Sequence, residues 1–294
     1  GRRILTRTKT LSPAKSANQL NRILNVFHDA HGGERFPVNV DKLALGAHEI
    51  FDWPDPISKI EQANIPNFEG MLASNEDHSK WMIAYNNAVS SQGRIRFTKA
   101  HELGHYILHR HTQQNFMCTR EDMLAWSGGA NIEAEADTFA SSLLMPLDDF
   151  RAQTNAPITL DVLSHCADRY GVSLTAATLK WLSYTDQKAV LVMSNDGFMS
   201  WASSSGPAHQ SGAFFRTRKN VIAVPERSIT ADDSIQLQPN GAKIPAKTWF
   251  KFCDSDADLT EMKIYSEQYD STLTLLVLPK HADFWPSKDR VTPS

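Results

Sequence analysis

The spacing of hydrophobic residues predicts helices in the first half of the chain. Apolar positions recur three and four residues apart in four stretches, and a serine-proline start and a double-glycine stop bound the first of them. The predicted helices cover residues 12–33, 40–45, 95–109 and 132–146. Between the second and third, residues 69–87 place two strand-like runs around the polar stretch "SNEDHS", which predicts a hairpin.

The pattern changes in the last third of the chain. Residues 159–185 predict two helices joined by the tight turn "YGVS", an arrangement similar to a helix-turn-helix. From Lys188 onward short apolar runs predict strands at "KAVLVMS", "FMSWASS", "VIAVP", "KTWFKF", "EMKIYSE" and "STLTLLVLP". The stretch "SSSGPAHQSG" reads as a surface loop.

These elements predict an α+β protein in three parts. Residues 1–150 form a mainly helical domain with a small sheet, 151–186 a helix-turn-helix-like segment, and 187–294 a β-rich C-terminal domain.

Composition narrows the class of protein. The chain has 294 residues, 41% of them hydrophobic, and a formal charge of −3, so it can form packed cores and has no overall attraction for nucleic acids or anionic membranes. No apolar run approaches the roughly 20 residues of a membrane span, and the start lacks a secretory signal. We therefore expect a cytoplasmic protein without membrane contact. Cys118, Cys166 and Cys253 form no CxxC pair and read as ordinary reduced thiols.

The third predicted helix contains a candidate catalytic motif, an HExxH sequence at residues 101–105. Residues four apart share one face of a helix, so His101 and His105 can bind the same metal ion while Glu102 stands beside them. This geometry is typical of zinc hydrolases, in which Zn²⁺ activates water and polarises a carbonyl, and Glu102 is then the general base.

A catalytic zinc takes three protein ligands, and three residues compete for the third position. His109 lies about 12 Å along the helix from His101, too far to share the ion, and reads as a surface histidine or one that supports a ligand. His111 matches the last histidine of the metzincin pattern, but Leu108 replaces the glycine that turns that chain back. Glu133 lies near the apolar stripe of the fourth helix and is favoured, because a carboxylate facing a packed interface needs a partner.

Further residues around the site follow from the same helices. Asp137 shares the face of Glu133 and is the candidate partner for the second ring nitrogen of His101. Candidate donors to the oxyanion of the reaction are Tyr85, Tyr106 and His109. The run "KWMIAYN" reads as an edge strand to which an extended peptide substrate could add. The arrangement is similar to that of gluzincins.

Two segments resemble a known family. "RFTKAHELGHYILH" followed by "EAEADTFASSLLMP" closely resembles the ImmA/IrrE metallopeptidases. The resemblance implies that His101, His105 and Glu133 bind zinc in a zincin-like domain and that Glu102 is the base. It also implies a regulatory protease that cleaves an XRE-type helix-turn-helix repressor, in a stress response or a mobile element. IrrE-like members add a helix-turn-helix-like segment and a GAF-like sensor domain.

The sequence also allows a function that is not enzymatic. The chain could be a non-catalytic regulator, or a toxin-antitoxin type of partner, that binds a repressor or DNA and carries a structural zinc. Direct DNA binding is not favoured, because the second helix of residues 159–185 offers only Lys180 as a cation.

Overall fold

The computed structural model describes residues 12–118 and 132–286. The chain divides into two compact units, each of two segments. The N-terminal unit contains Gly1–Arg151 and Ala167–Ser173, and the C-terminal unit contains Ala152–Cys166 and Leu174–Ser294. The three-part division at residues 150 and 186 stays a prediction.

The described elements of the N-terminal unit alternate helices with a small sheet. In chain order they are α1 (Pro13–His31), α2 (Val40–Phe51), β1 (Ile57–Ala63), β2 (Gly70–Ser74), β3 (Trp81–Asn86), α3 (Gln92–His109), β4 (Asn115–Cys118), α4 (Ile132–Leu144) and α5 (Leu147–Gln153). The four helices predicted from spacing are all present. Asn39 caps the start of α2 by accepting a hydrogen bond from Lys42 N. The helix extends six residues past the predicted end, through Gly46, and ends where Asp52 adopts a left-handed conformation.

The sheet of this unit has the order β1-β3-β2-β4. β2 and β3 form the predicted antiparallel hairpin, and β3 also pairs in parallel with β1. The prediction that "KWMIAYN" is an edge strand is therefore wrong, because β3 is hydrogen-bonded on both sides. Among the described residues the edges are β1 and β4.

Helices α3 and α4 pack closely at a glycine. A Cβ atom at Gly104 would lie 3.0 Å from Phe139 Cδ1 and 3.3 Å from the Cα atom of Ala136, so the two backbones approach at this point. Leu103 and Phe139 are fully buried in the surrounding core, and burial of each such side chain stabilises the fold by about 1.5–3 kcal/mol. The consequence for function is that α4 is held against the HExxH turn of α3.

The C-terminal unit is built on an antiparallel sheet. Its elements are α6 (Leu160–Tyr170), whose last residues belong to the N-terminal unit, α7 (Leu174–Leu182), β5 (Ala189–Asn195), β6 (Phe198–Ser204), α8 (Gly206–Gln210), β7 (Leu237–Pro245), β8 (Asp258–Ser266) and β9 (Ser271–Val277). The strand order is β6-β5-β9-β8-β7. The α+β class is thus confirmed. In the described part of the chain, no helix is both long and apolar enough to cross a membrane.

Two of the six strand predictions in this unit are wrong. "VIAVP" makes only an isolated bridge at Ala223, and "KTWFKF" begins with a 3-10 turn after which Trp249 and Phe250 enter the core. The apolar character of Trp249 and Phe250 serves burial in the core and not strand pairing, whereas Val221 is exposed. The predicted loop at residues 203–212 contains α8, whose N-terminus is capped by the Ser205 hydroxyl. β7 was missed because Pro239 and a bulge between Gln238 and Ala242 interrupt its pattern.

Candidate metal centre

Helix α3 presents the HExxH residues to the interior. Its first turn is capped by the Ser91 hydroxyl, which accepts a hydrogen bond from Arg94 N. His101, Glu102 and His105 are all fully buried. Buried polar side chains need compensating partners. Those of His101 and His105 come from α4, from β4 and from His109 of the same helix.

Four potential ligand atoms converge beside α3: Nε2 of His101, Nε2 of His105, Sγ of Cys118 and Oε2 of Glu133. The two Nε2 atoms are 3.0 Å apart, and Glu133 Oε2 lies 3.1 Å from His101 and 3.3 Å from His105. Cys118 Sγ lies 3.1 Å from His101 Nε2, 3.5 Å from His105 Nε2 and 3.4 Å from Glu133 Oε2. All pairwise separations are similar, so the four atoms mark the corners of a nearly regular tetrahedron.

The dimensions of this tetrahedron fit a zinc ion. Edges of this length place the centre about 2.0 Å from each corner, close to the roughly 2.0–2.3 Å of zinc bonds to nitrogen, oxygen and sulfur. The donor set has the same implication, because nitrogen lone pairs, a carboxylate and a thiol packed together attract a cation and repel one another without it. The cluster therefore fits a metal ion, and its ligand types are those of zinc sites.

In each histidine of the cluster, the ring nitrogen that faces away from the cluster contacts another side chain. Asp137 Oδ1 lies 2.8 Å from His101 Nδ1, which turns Nε2 of this ring toward the cluster. For His105, Nδ1 lies 3.1 Å from Nδ1 of His109, and His109 Nε2 in turn lies 2.8 Å from Glu135. His109 was predicted to be either a surface histidine or one that supports a ligand. It is 4% exposed and contacts His105, as the second prediction requires.

Glu102 lies in a cradle made by a glycine of β2. A Cβ atom at Gly70 would lie 2.6 Å from Glu102 Oε1 and 2.5 Å from Thr98 Cγ2, so only glycine leaves room for this carboxylate. Neither oxygen of Glu102 accepts a hydrogen bond from an N–H or O–H group of the described residues. Burial raises the pKa of Glu102 to about 7, although His101 and Cys118 act in the opposite direction. A carboxyl group with this pKa can both accept and release a proton near neutral pH.

The other members of the cluster are set for metal binding in different ways. Burial lowers the pKa of His105 to about 4, which keeps its ring neutral. Burial of Glu133 disfavours its charge, but hydrogen bonds and charge from His101 and His105 outweigh this and lower its pKa. Burial also disfavours charge on His101, yet Cys118, Asp137 and Glu133 raise its pKa well above the usual range, so a proton competes with a metal for this ring.

The remaining predicted residues lie outside the cluster. Tyr106 donates a hydrogen bond to the carbonyl of Asp55 at 2.9 Å, and the Tyr85 ring packs 4.5 Å below the Lys99 ammonium group. His109, the third proposed oxyanion donor, has both ring nitrogens engaged as described above. α3 continues through His109 without a turn, and His111 lies exposed beyond its end.

Cys118 is the member of the cluster that sequence reasoning missed. It ends β4 and pairs in register with Gly70 of β2, which places it opposite the HExxH turn. A single cysteine in a strand of 4 residues has no characteristic spacing, so no motif distinguishes it from an ordinary buried thiol.

Two helices and a strand thus bring the histidines of an HExxH sequence together with a carboxylate and a thiol in a candidate metal site. Comparison with protein families agrees: residues 59–182 match the peptidase M78 family, described as the IrrE N-terminal-like domain. The match covers 124 of the 294 residues and supports an ImmA/IrrE-type metallopeptidase domain in this part of the chain. The match extends from β1 through both helices α6 and α7. Among curated proteins no significant match is found.

Proposed function

We propose that the protein is a zinc-dependent regulatory endopeptidase of the cytoplasm that cleaves an XRE-type helix-turn-helix repressor, in a stress response or a mobile element. The observation that carries the proposal is the position of Glu102, buried and cradled by Gly70 beside a tetrahedral set of metal ligands. A carboxylate buried in this way opposes folding, and a site that only bound a structural ion would not need it.

In this proposal His101, His105 and Glu133 hold the zinc ion. The bound ion would supply polarisation of the substrate carbonyl and a lowered pKa for water. Glu102 accepts a proton from water on a carboxylate oxygen and later delivers it to the leaving amine, which its pKa of about 7 permits in both directions. Asp137 and the pair His109–Glu135 keep the two imidazole rings oriented during this cycle.

The same proposal assigns roles to the rest of the chain. The N-terminal part, residues 1–150, is a zincin-like domain, residues 151–186 are a helix-turn-helix-like connector, and residues 187–294 are a GAF-like sensor, an assignment that rests on family analogy. The connector does not bind DNA through α7, because Lys180, the lysine of this helix, is only 7% exposed.

Repressor cleavage can be tested with purified, zinc-loaded protein. We would incubate a panel of XRE-type repressors with the wild type, Glu102→Gln and the exposed control Glu76→Gln, and identify fragments by mass spectrometry. Wild type and Glu76→Gln should cut one repressor at the same bond, and Glu102→Gln should be about 10²–10⁴-fold slower. Equal cleavage by Glu102→Gln would refute the assigned base.

One observation favours a second candidate, a non-catalytic regulator that binds a repressor with a structural zinc. Cys118 completes a set of four protein ligands, and closed sets of four are typical of structural zinc sites. Tight binding of a repressor without fragments, equal for wild type and Glu102→Gln, would support this candidate.

A further inference from the structure

The fourth corner of the metal cluster is occupied by a side chain where a catalytic centre keeps water. Catalytic zinc sites have three protein ligands and an open position, whereas His101, His105, Glu133 and Cys118 supply four. Cys118 Sγ lies 3.1–3.5 Å from the other three ligand atoms, close to the 3.0–3.3 Å that separates those three from one another. The sulfur therefore fits the metal as well as the other ligands do.

The surroundings of this corner are those of a reaction site. Cys118 is opposite Gly70 in the β2–β4 ladder, and Gly70 is the residue that makes room for the Glu102 carboxylate. Cys118 and Glu102 are electrostatic neighbours. The general base thus lies beside the position that the sulfur occupies, and it would lie beside a water molecule in the same position.

Cys118 is also held differently from the other three ligands. His101 and His105 belong to a helix of 18 residues and Glu133 to one of 13, whereas Cys118 is the last residue of a strand of 4. Phe116 is buried and stacks on the His105 ring at 4.5 Å, which fixes the strand. The Cys118 carbonyl accepts a hydrogen bond from Glu69 N. Rotation about the Cα–Cβ bond alone would move the sulfur by about 3 Å and leave these contacts intact.

We propose that the Cys118 thiolate is the fourth zinc ligand of a resting, latent state, and that the peptidase becomes active when this sulfur leaves the metal. In this exchange the zinc–sulfur bond breaks, the released thiolate takes up a proton, and the fourth position opens to water beside Glu102. The inference rests on the proposed peptidase function for its meaning, but the ligand set can be tested without any substrate.

The test uses the full chain loaded with Co²⁺ in place of zinc. A thiolate ligand gives cobalt an intense near-ultraviolet charge-transfer band, so wild type and the control Cys253→Ala, which lacks a buried thiol of the other unit, should both show it. Cys118→Ala should bind one cobalt per chain and lose the band. If Cys118→Ala fails to fold, as judged by circular dichroism, Cys118→Ser takes its place.

A second readout tests whether the fourth position is closed. Acetohydroxamate binds metal centres that have an open position, and its titration can be followed in the visible cobalt spectrum. Its Kd should be at least about tenfold lower for Cys118→Ala than for wild type, a difference of about 1.4 kcal/mol. A wild type without the thiolate band, or equal Kd values, would overturn the inference.

Repressor cleavage separates this inference from the proposed function. With a latent peptidase, Cys118→Ala cleaves faster than wild type at equal zinc content. If Cys118→Ala loses the band and binds hydroxamate more tightly, but neither it nor the wild type cleaves a repressor, Cys118 is confirmed as the fourth ligand and the proposed peptidase function is refuted.

Discussion

Replacement of Glu102 by glutamine should stabilise the metal-free protein at alkaline pH. Glu102 is fully buried, and burial raises its pKa from an ordinary value of 4.5 to about 7. One pKa unit corresponds to about 1.4 kcal/mol, so the ionised side chain opposes folding by about 3 kcal/mol. Glutamine has the same shape and carries no charge, and the variant should lose this penalty.

The pH dependence has a definite sign. Because the pKa of Glu102 is raised in the folded state, the folded protein binds more protons than the unfolded chain between pH 4.5 and about 7. The contribution of this residue to the free energy of unfolding therefore falls through this window and is fully lost above it. The gain from Glu102→Gln should be near zero at pH 4 and about 3 kcal/mol at pH 8.

Urea denaturation in the presence of a chelator measures this gain at both pH values. The exposed control Glu76→Gln should show no pH-dependent gain. Addition of zinc should reduce the gain of Glu102→Gln, since a nearby cation lowers the pKa of a carboxyl group. If Glu102→Gln does not raise the free energy of unfolding, or raises it equally at both pH values, then burial of the ionised Glu102 carboxylate does not destabilise the fold.

Three further substitutions test other parts of the structure. Asp137→Asn should weaken zinc binding by about 10–100-fold in a chelator competition, because it removes the charged partner of a ligand ring; a change under about threefold would contradict the role of Asp137. Gly70→Ala adds a Cβ 2.6 Å from Glu102 Oε1 and should lower the free energy of unfolding by about 1–3 kcal/mol in urea; unchanged stability would show that the cradle is loose. Burial lowers the pKa of Lys180 to about 8, so Lys180→Met should raise the free energy of unfolding at pH 7 by about 1–3 kcal/mol. For the same reason the free energy of unfolding of the wild type should rise between pH 8 and 10.5, where the unfolded chain binds more protons than the folded protein. A destabilised Lys180→Met variant would show that the ammonium group has a favourable partner.

The parts of the fold that local sequence determines could be predicted. Helices α1, α3 and α4 follow from apolar spacing and end signals within each segment. His101 and His105 are four residues apart in one helix, so their convergence follows once α3 is recognised. Glu133 could be placed because its angle to the apolar stripe of α4 shows which way it faces.

The parts that depend on contacts between distant segments could not be predicted. β3 is interior because β1 pairs with it in parallel, and nothing within "KWMIAYN" indicates that second partner. Cys118 reaches the cluster only through the register of β4 on β2. Trp249 and Phe250 have the composition of a strand, but tertiary packing draws them into the core from a turn.

The central claim is that His101, His105 and Glu133 hold zinc beside Glu102. Its most direct test is the zinc affinity of wild type, Glu133→Ala and His111→Ala, measured by competition with a chromogenic chelator. The account predicts equal affinity for wild type and His111→Ala, and for Glu133→Ala a loss greater than the roughly 10–100-fold typical of a residue behind a ligand. Normal affinity in Glu133→Ala together with a large loss in His111→Ala would contradict the site described here.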